Sequence, residues 1–234
     1  MVLGRTTLYE DGCLTKGRAF TMRDSYRDEL NATTELIVTV AGLVRTAVQD
    51  ATTALVTADL TVAERVISGD ARIDELTKEI EQRSFQLLAR QAPVAGELRT
   101  VVAVLRMSYS LDRMGDLAAH IAKIARLRYP EVAAPEPVAD QIKQMAETAD
   151  SMIATAITTL ENRDAEAAAG LATADSKMDE LRSDQFHLLL SDDWEYGVEK
   201  AVDTALLGRY YERIADHAVA MGARTIYILS LIHI

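Results

Sequence analysis

The sequence predicts an all-α protein made of two tandem, pseudo-symmetric three-helix bundles, six long helices in all. Three observations predict it. Of 234 residues, 49% are hydrophobic but only 5% aromatic, and turn punctuation is sparse, with 11 glycines and 4 prolines. Chains rich in Ala, Leu, Glu, Arg and Met lose little side-chain freedom on forming helices. Apolar residues recur at spacings of three and four over long stretches, with no alternating run of strand type. Finally, Leu111-Asp112-Arg113-Met114-Gly115-Asp116-Leu117-Ala118 returns as Tyr211-Glu212-Arg213-Ile214-Ala215-Asp216-His217-Ala218, 100 residues later. Such recurrence marks a duplicated unit.

Residues 1–21, rich in Gly, Thr and Arg, lack the apolar segment of a secretory signal and read as a disordered leader or upstream extension. The first bundle spans 22–129. Its first helix runs from Met22 to Ala58 through Leu30, Leu36, Ile37, Val40, Leu43, Val44, Val48 and Leu55. Asp59 to Thr61 interrupts the pattern, and Thr61-x-x-Glu64 reads as a capping box opening the second helix. That helix continues through Val66, Ile73, Leu76, Ile80, Leu87 and Leu88. Pro93 falls where a third helix starts, because its missing N–H costs nothing in a first turn. The third helix passes Leu98, Val101, Val104, Leu105, Tyr109, Met114 and Ile121 and ends near Tyr129.

Pro130, Pro135 and Pro137 then stop helix formation, so 130–137 is the linker between the halves. The second bundle spans 138–230: a helix from Val138 to Arg163, one from the N-cap Asp164 to Ser191, and one after Asp192-Asp193 to Ser230. Residues 231–234 fall outside this pattern.

Composition excludes several functions. A formal net charge of −11 repels nucleic acid and anionic membranes, so neither is expected as a partner through a general field. Lys123, Arg126 and Arg128 gather at one helix end, where cations complement the helix dipole. Cys13 is the only cysteine, which rules out an internal disulfide or a cysteine-based metal centre and fits a reducing, cytoplasmic setting. No stretch approaches the roughly 18 apolar residues of a membrane span, so direct membrane insertion is not expected. Gly-rich phosphate loops, HExxH and the ExxH pairs of di-iron bundles are missing, and nothing demands catalysis.

The residues that carry chemistry are paired carboxylates. Asp112 with Asp116 and Glu212 with Asp216 lie four apart on the third helix of each half, and therefore on one face. The second helices carry Asp70 with Asp74 and Asp175 with Asp179, each pair followed by Glu-Leu. With 36 acidic residues, single pairs such as Asp24 with Asp28 arise by chance. The four pairs stand out because they recur in both halves, and because like charges at this spacing cost a few tenths of a kcal/mol unless compensated. If the second and third helices of each bundle run antiparallel, up to four carboxylates meet. Such oxygen donors suit a hard or borderline metal ion.

Two readings stay open: a metal site, or a structural ion-pair network in which Arg113 and Arg213, or lysines and arginines elsewhere, neutralise the acids. The register also has two solutions. The third-helix motifs repeat at 100 residues and the second-helix pairs at 105, whereas aligning Phe85 with Phe186 would match Asp74 to Asp175. His120 lies in line with Asp112 and Asp116, while His217 falls on another face. Trp194, Tyr196, Tyr210 and Tyr211 form an aromatic group of core type, with Trp194 the candidate for a partner interface.

Tandem three-helix units with these motifs resemble the PhoU family of phosphate-transport regulators. Arg90-Gln91-Ala92-Pro93-Val94-Ala95-Gly96-Glu97-Leu98-Arg99 and the segment from Asp175 to Leu181 add to the likeness, which covers residues 22–230. Where the family's common form is Glu-Arg-Ile-Gly-Asp, this chain has Asp112 in one copy and Ala215 in the other. The resemblance implies a cytoplasmic homodimer that is not an enzyme. It implies coupling of the phosphate ABC transporter, through its ATPase subunit, to a sensor histidine kinase, with negative regulation of uptake and of the starvation response. It also implies metal clusters (Fe, Mn, Mg or Zn) on Asp112 with Asp116 and on Glu212 with Asp216, extended by Asp70, Asp74, Asp175 and Asp179. Clustered anion donors are missing from the motifs, so the chain is expected to read transporter conformation instead of binding phosphate. The alternative is a metal-binding bundle with an enzymatic or storage role.

Overall fold

The computed structural model describes residues 22–91 and 93–230. The expectations for residues 1–21 and 231–234 lie outside that range. Six helices make up the fold: α1 (Met22–Thr57), α2 (Leu60–Gln91), α3 (Gly96–Arg128), α4 (Glu136–Asn162), α5 (Ala165–Leu189) and α6 (Gly197–Leu229). Among the described residues there is no strand.

Local chemistry sets the boundaries. α2 opens two residues earlier than a cap at Thr61 requires: the Asp59 carboxylate accepts from the Val62 N–H at 3.0 Å, and Thr61 lies inside the first turn. Asp59 caps as well as Thr and adds charge that favours a helix N-terminus. α3 opens later than expected, because the chain turns at Ala95 with φ of 50° and Pro93 is buried ahead of it. The proline that does occupy a first helical turn is Pro137, so α4 takes up the last two linker residues. Asp164 caps α5 as predicted, accepting from Glu166 N–H at 3.0 Å and Ala167 N–H at 2.9 Å.

α1 is unusually rich in threonine for a helix. Its Thr33, Thr34, Thr39, Thr46, Thr52, Thr53 and Thr57 hydroxyls all donate to the carbonyl four residues earlier. This back-bonding satisfies hydroxyls that otherwise compete with the helix.

α1, α2 and α3 pack together, as do α4, α5 and α6, and α1 lies on α4 while α3 lies on α6. α3 and α6 are therefore the central helices. One continuous core of aliphatic side chains and methionines runs through both bundles, including Ile37, Val44, Met107, Leu111, Met145 and Met221. Fully burying each such side chain contributes about 1.5–3 kcal/mol, the main term holding the fold.

Polar clasps cross the seam. Arg45 on α1 forms a two-pronged pair with Asp150 on α4 at 2.7 and 2.8 Å, and Gln49 adds a donor at 2.7 Å. The fully buried Tyr211 shares a hydrogen bond of 2.8 Å with Thr52. Arg128 does more than complement the α3 dipole: its guanidinium binds Asp203 and Glu199 on α6. Along the seam α3 and α6 run antiparallel, with Tyr109 near His217, His120 against Tyr210 and Arg128 on Asp203.

Candidate functional site

The antiparallel packing of α2 on α3 brings Asp70, Asp74, Asp112 and Asp116 together. Burial pushes the Asp70 carboxyl above the usual range, and the charges of Asp116 and Asp74 push it further, while Lys123 opposes them. Asp112 is raised for the same first reason, against the pull of Arg113. Gly115 makes the close approach possible: a Cβ there would stand 3.0 Å from Asp70 Oδ1 and 3.1 Å from Ile73 Cγ2. Asp70 Oδ1 is buried without a hydrogen-bond partner.

Arg113 closes the outer side of this first cluster, donating to Asp116 at 2.8 Å and Asp112 at 3.2 Å, with its guanidinium 5.6 Å from the centre of the Tyr109 ring. From α2, Thr77 donates to Asp112 at 3.3 Å, and Lys78 reaches Asp74 at 3.9 Å.

The second cluster joins Asp175 and Asp179 on α5 to Glu212 and Asp216 on α6. Burial raises the Asp175 carboxyl first, followed by the charges of Asp216, Asp179 and Glu212. Asp216 is raised by burial and then by Glu212, with Arg209 and His217 pulling it back. The pairing of Asp70 with Asp116 and of Asp175 with Asp216 settles the register: the second-helix repeat is 105 residues, and Asp175 corresponds to Asp70.

The partner of Glu212 corrects one expectation. Arg213 is exposed and makes no ion pair among the described residues; Arg209 binds Glu212 at 2.8 Å and Arg182 binds it at 3.3 Å. Arg209 stands where the first copy has Tyr109, so a like charge replaces the ring on which Arg113 lies. Sequence reasoning passed over Arg182. Its signal was present, since Asp74-Glu75-Leu76-Thr77 and Asp179-Glu180-Leu181-Arg182 differ at their last residue.

Neither histidine enters a cluster. His120 is exposed and stacks on Tyr210 at 5.5 Å, and His217 meets the Tyr109 ring edge-on at 6.5 Å, its pKa lowered by burial and then by Arg213. The aromatic group divides: Tyr211 is core, Tyr210 belongs to the seam, and Trp194 packs on Tyr196 at 5.3 Å and donates to the Gly197 carbonyl at 2.9 Å. Trp194 is half-buried against the main core.

A family model described as the PhoU domain matches this chain twice, at residues 37–125 and 142–225, and so takes in both carboxylate clusters. The chain belongs to the PhoU family. It is 42% identical over 206 residues to the phosphate-specific transport system accessory protein PhoU homolog 2 of Mycobacterium bovis, covering 88% of this chain and 97% of that one. It is 30% identical to the PhoU homolog of Caulobacter vibrioides, covering 83% and 85%. The crystal structure of PhoU from Pseudomonas aeruginosa superposes with a TM-score of 0.83 at 25% identity, over 87% of this chain and 98% of that one. Among the described residues of this PhoU-family chain, no helix is long and apolar enough to cross a membrane.

Metal binding, which the family resemblance implies, can be tested against the geometry. As the side chains stand, no group of three or more His, Cys, Asp or Glu among the described residues is placed to hold one ion. In the first cluster, however, all donors are carboxylates, and one buried oxygen, Asp70 Oδ1, lacks a partner where it packs against Gly115. The only guanidinium paired with Asp112 and Asp116 among the described residues is that of Arg113, whose side chain is 42% exposed. The residues fit a hard cation that competes with Arg113 for Asp112 and Asp116.

Proposed function

We propose that this chain is a regulatory adaptor of phosphate uptake, not an enzyme. It couples the phosphate ABC transporter, through the ATPase subunit, to a sensor histidine kinase, and holds uptake and the starvation response down when phosphate is plentiful. The observation that carries this reading is the 42% identity, over nearly the whole chain, to an accessory protein of the phosphate-specific transport system. Long helices offer broad lateral faces, and the net charge of −11 suits basic partner surfaces. We place it in the cytoplasm as a homodimer.

A divalent or ferric ion (Fe, Mn, Mg or Zn) belongs to the same proposal, with Asp70, Asp74, Asp112 and Asp116 as its holders. Such an ion supplies positive charge to four mutually repelling carboxylates and so fixes α2 against α3.

The test is complementation. In cells lacking every PhoU-family gene and growing in phosphate-rich medium, restoring this chain is expected to lower phosphate uptake and alkaline phosphatase output. If both stay at the level of the deleted cells, the adaptor reading is wrong.

A further inference from the structure

We propose that the two carboxylate clusters are not equivalent: the first is the cation site, and the second is already closed by the buried guanidinium of Arg182. The inference rests on the metal reading above and adds what excludes the metal from the second bundle.

With the repeats at 100 and 105 residues, Asp112 corresponds to Glu212 and Thr77 to Arg182. Both pairs make the same contact between helices: Thr77 Oγ1 donates to Asp112 at 3.3 Å, and Arg182 Nε donates to Glu212 at 3.3 Å. One bundle thus presents a neutral hydroxyl to its acidic cluster, and the other a full positive charge.

The Arg182 charge is also held in place. Its side chain is only 12% exposed, its guanidinium lies 3.9 Å from the centre of the Phe186 ring, and it donates to the fully buried Gln185 at 2.7 Å. Arg209 adds a second guanidinium on the other Glu212 oxygen. The cations around the first cluster are of another kind. Lys78 and Lys123 are exposed, where ion pairs contribute little, and the Arg113 side chain is 42% exposed against 12% for Arg182. A metal ion entering the second cluster would meet a like charge that is held in place and, at Arg182, only 12% exposed to screening solvent. The unpartnered buried oxygen is found in the first cluster, at Asp70.

The experiment uses the full chain, stripped with chelator and titrated with Mn²⁺, the loss of free-ion EPR signal counting bound ions. Asp70→Asn with Asp116→Asn is expected to weaken Mn²⁺ binding about tenfold or more, and Asp175→Asn with Asp216→Asn to leave it unchanged. Arg182→Thr is expected to add a second set of bound ions, and Arg182→Lys, which keeps the charge, to add none. The paired Asn variants decide the matter even if Arg182→Thr disturbs packing around Phe186. Equal loss in both Asn pairs would overturn the asymmetry and leave metal binding standing. No Mn²⁺ uptake by the unaltered chain would overturn the metal reading itself, and the inference with it.

Discussion

Replacing Arg128 by Met tests how much the clasp at the end of α3 contributes. Arg128 binds Asp203 and Glu199 across the seam, and the two acids differ sharply in setting: the Asp203 side chain is 8% exposed and that of Glu199 74%. Pairing with Glu199 contributes little, because water screens it. Asp203 decides the outcome. Removing one partner of a buried pair costs about 3–5 kcal/mol, since the other charge stays out of water. Arg128 is itself 19% exposed, so some solvent reaches the gap, and about 2–4 kcal/mol is the expected loss. Methionine keeps the apolar stem in contact, so the loss reports on charge more than on packing. Urea unfolding followed by circular dichroism at neutral pH measures it. Adding Asp203→Asn should restore at least half, because the stranded charge is then gone. A loss below about 1 kcal/mol, or a double variant as unstable as the sum of the singles, would refute the reasoning.

Two further predictions concern the interior. The Arg45 guanidinium holds the Asp150 carboxyl below its usual range, so its contribution is present above the ordinary carboxylate range and is lost as pH falls through the lowered folded value. Asp150→Asn should therefore cost about 1 kcal/mol at pH 7, discounted because Arg45 is 39% exposed, and the gap from the unaltered chain should narrow in urea melts as pH falls below the ordinary carboxylate range. At Gly208 a Cβ would stand 1.9 Å from the Gln185 side-chain oxygen, so Gly208→Ala must drive Gln185 from Arg182. The overpacking, about 1–3 kcal/mol, outweighs a helix-propensity gain of about 1, and a lowered unfolding midpoint is expected.

Much of the fold was legible because long helices write a period into the sequence. The six stretches, the linker prolines and the Asp164 cap needed no tertiary information. Caps separated by two residues did need it: Asp59 and Thr61 are both good N-caps, and which one serves depends on where the chain turns at Ala58, a residue of positive φ. The convergence of the acidic pairs was readable from the repeat only on the condition that the second and third helices of each bundle run antiparallel. The ion pairs within them were not, because a repeat aligns like with like, and the decisive residues differ between copies: Tyr109 against Arg209, and Thr77 against Arg182. Hydrophobic pattern also says nothing of α3 and α6 as central helices. Small residues such as Gly115, Ala118 and Ala122 read as weakly amphipathic in sequence, and they are buried because neighbours close over them from several sides.

The seam between the bundles joins like to like, α1 to its counterpart α4 and α3 to its counterpart α6, with the last two antiparallel. That is the arrangement a two-fold axis imposes on two identical subunits. The protein is in this sense a dimer whose halves have been sewn into one chain. In a true dimer every substitution is written twice, so a plug such as Arg182 would close both pockets or neither. Fusion releases that constraint, and a single codon can then give two halves of one ancestor different occupations.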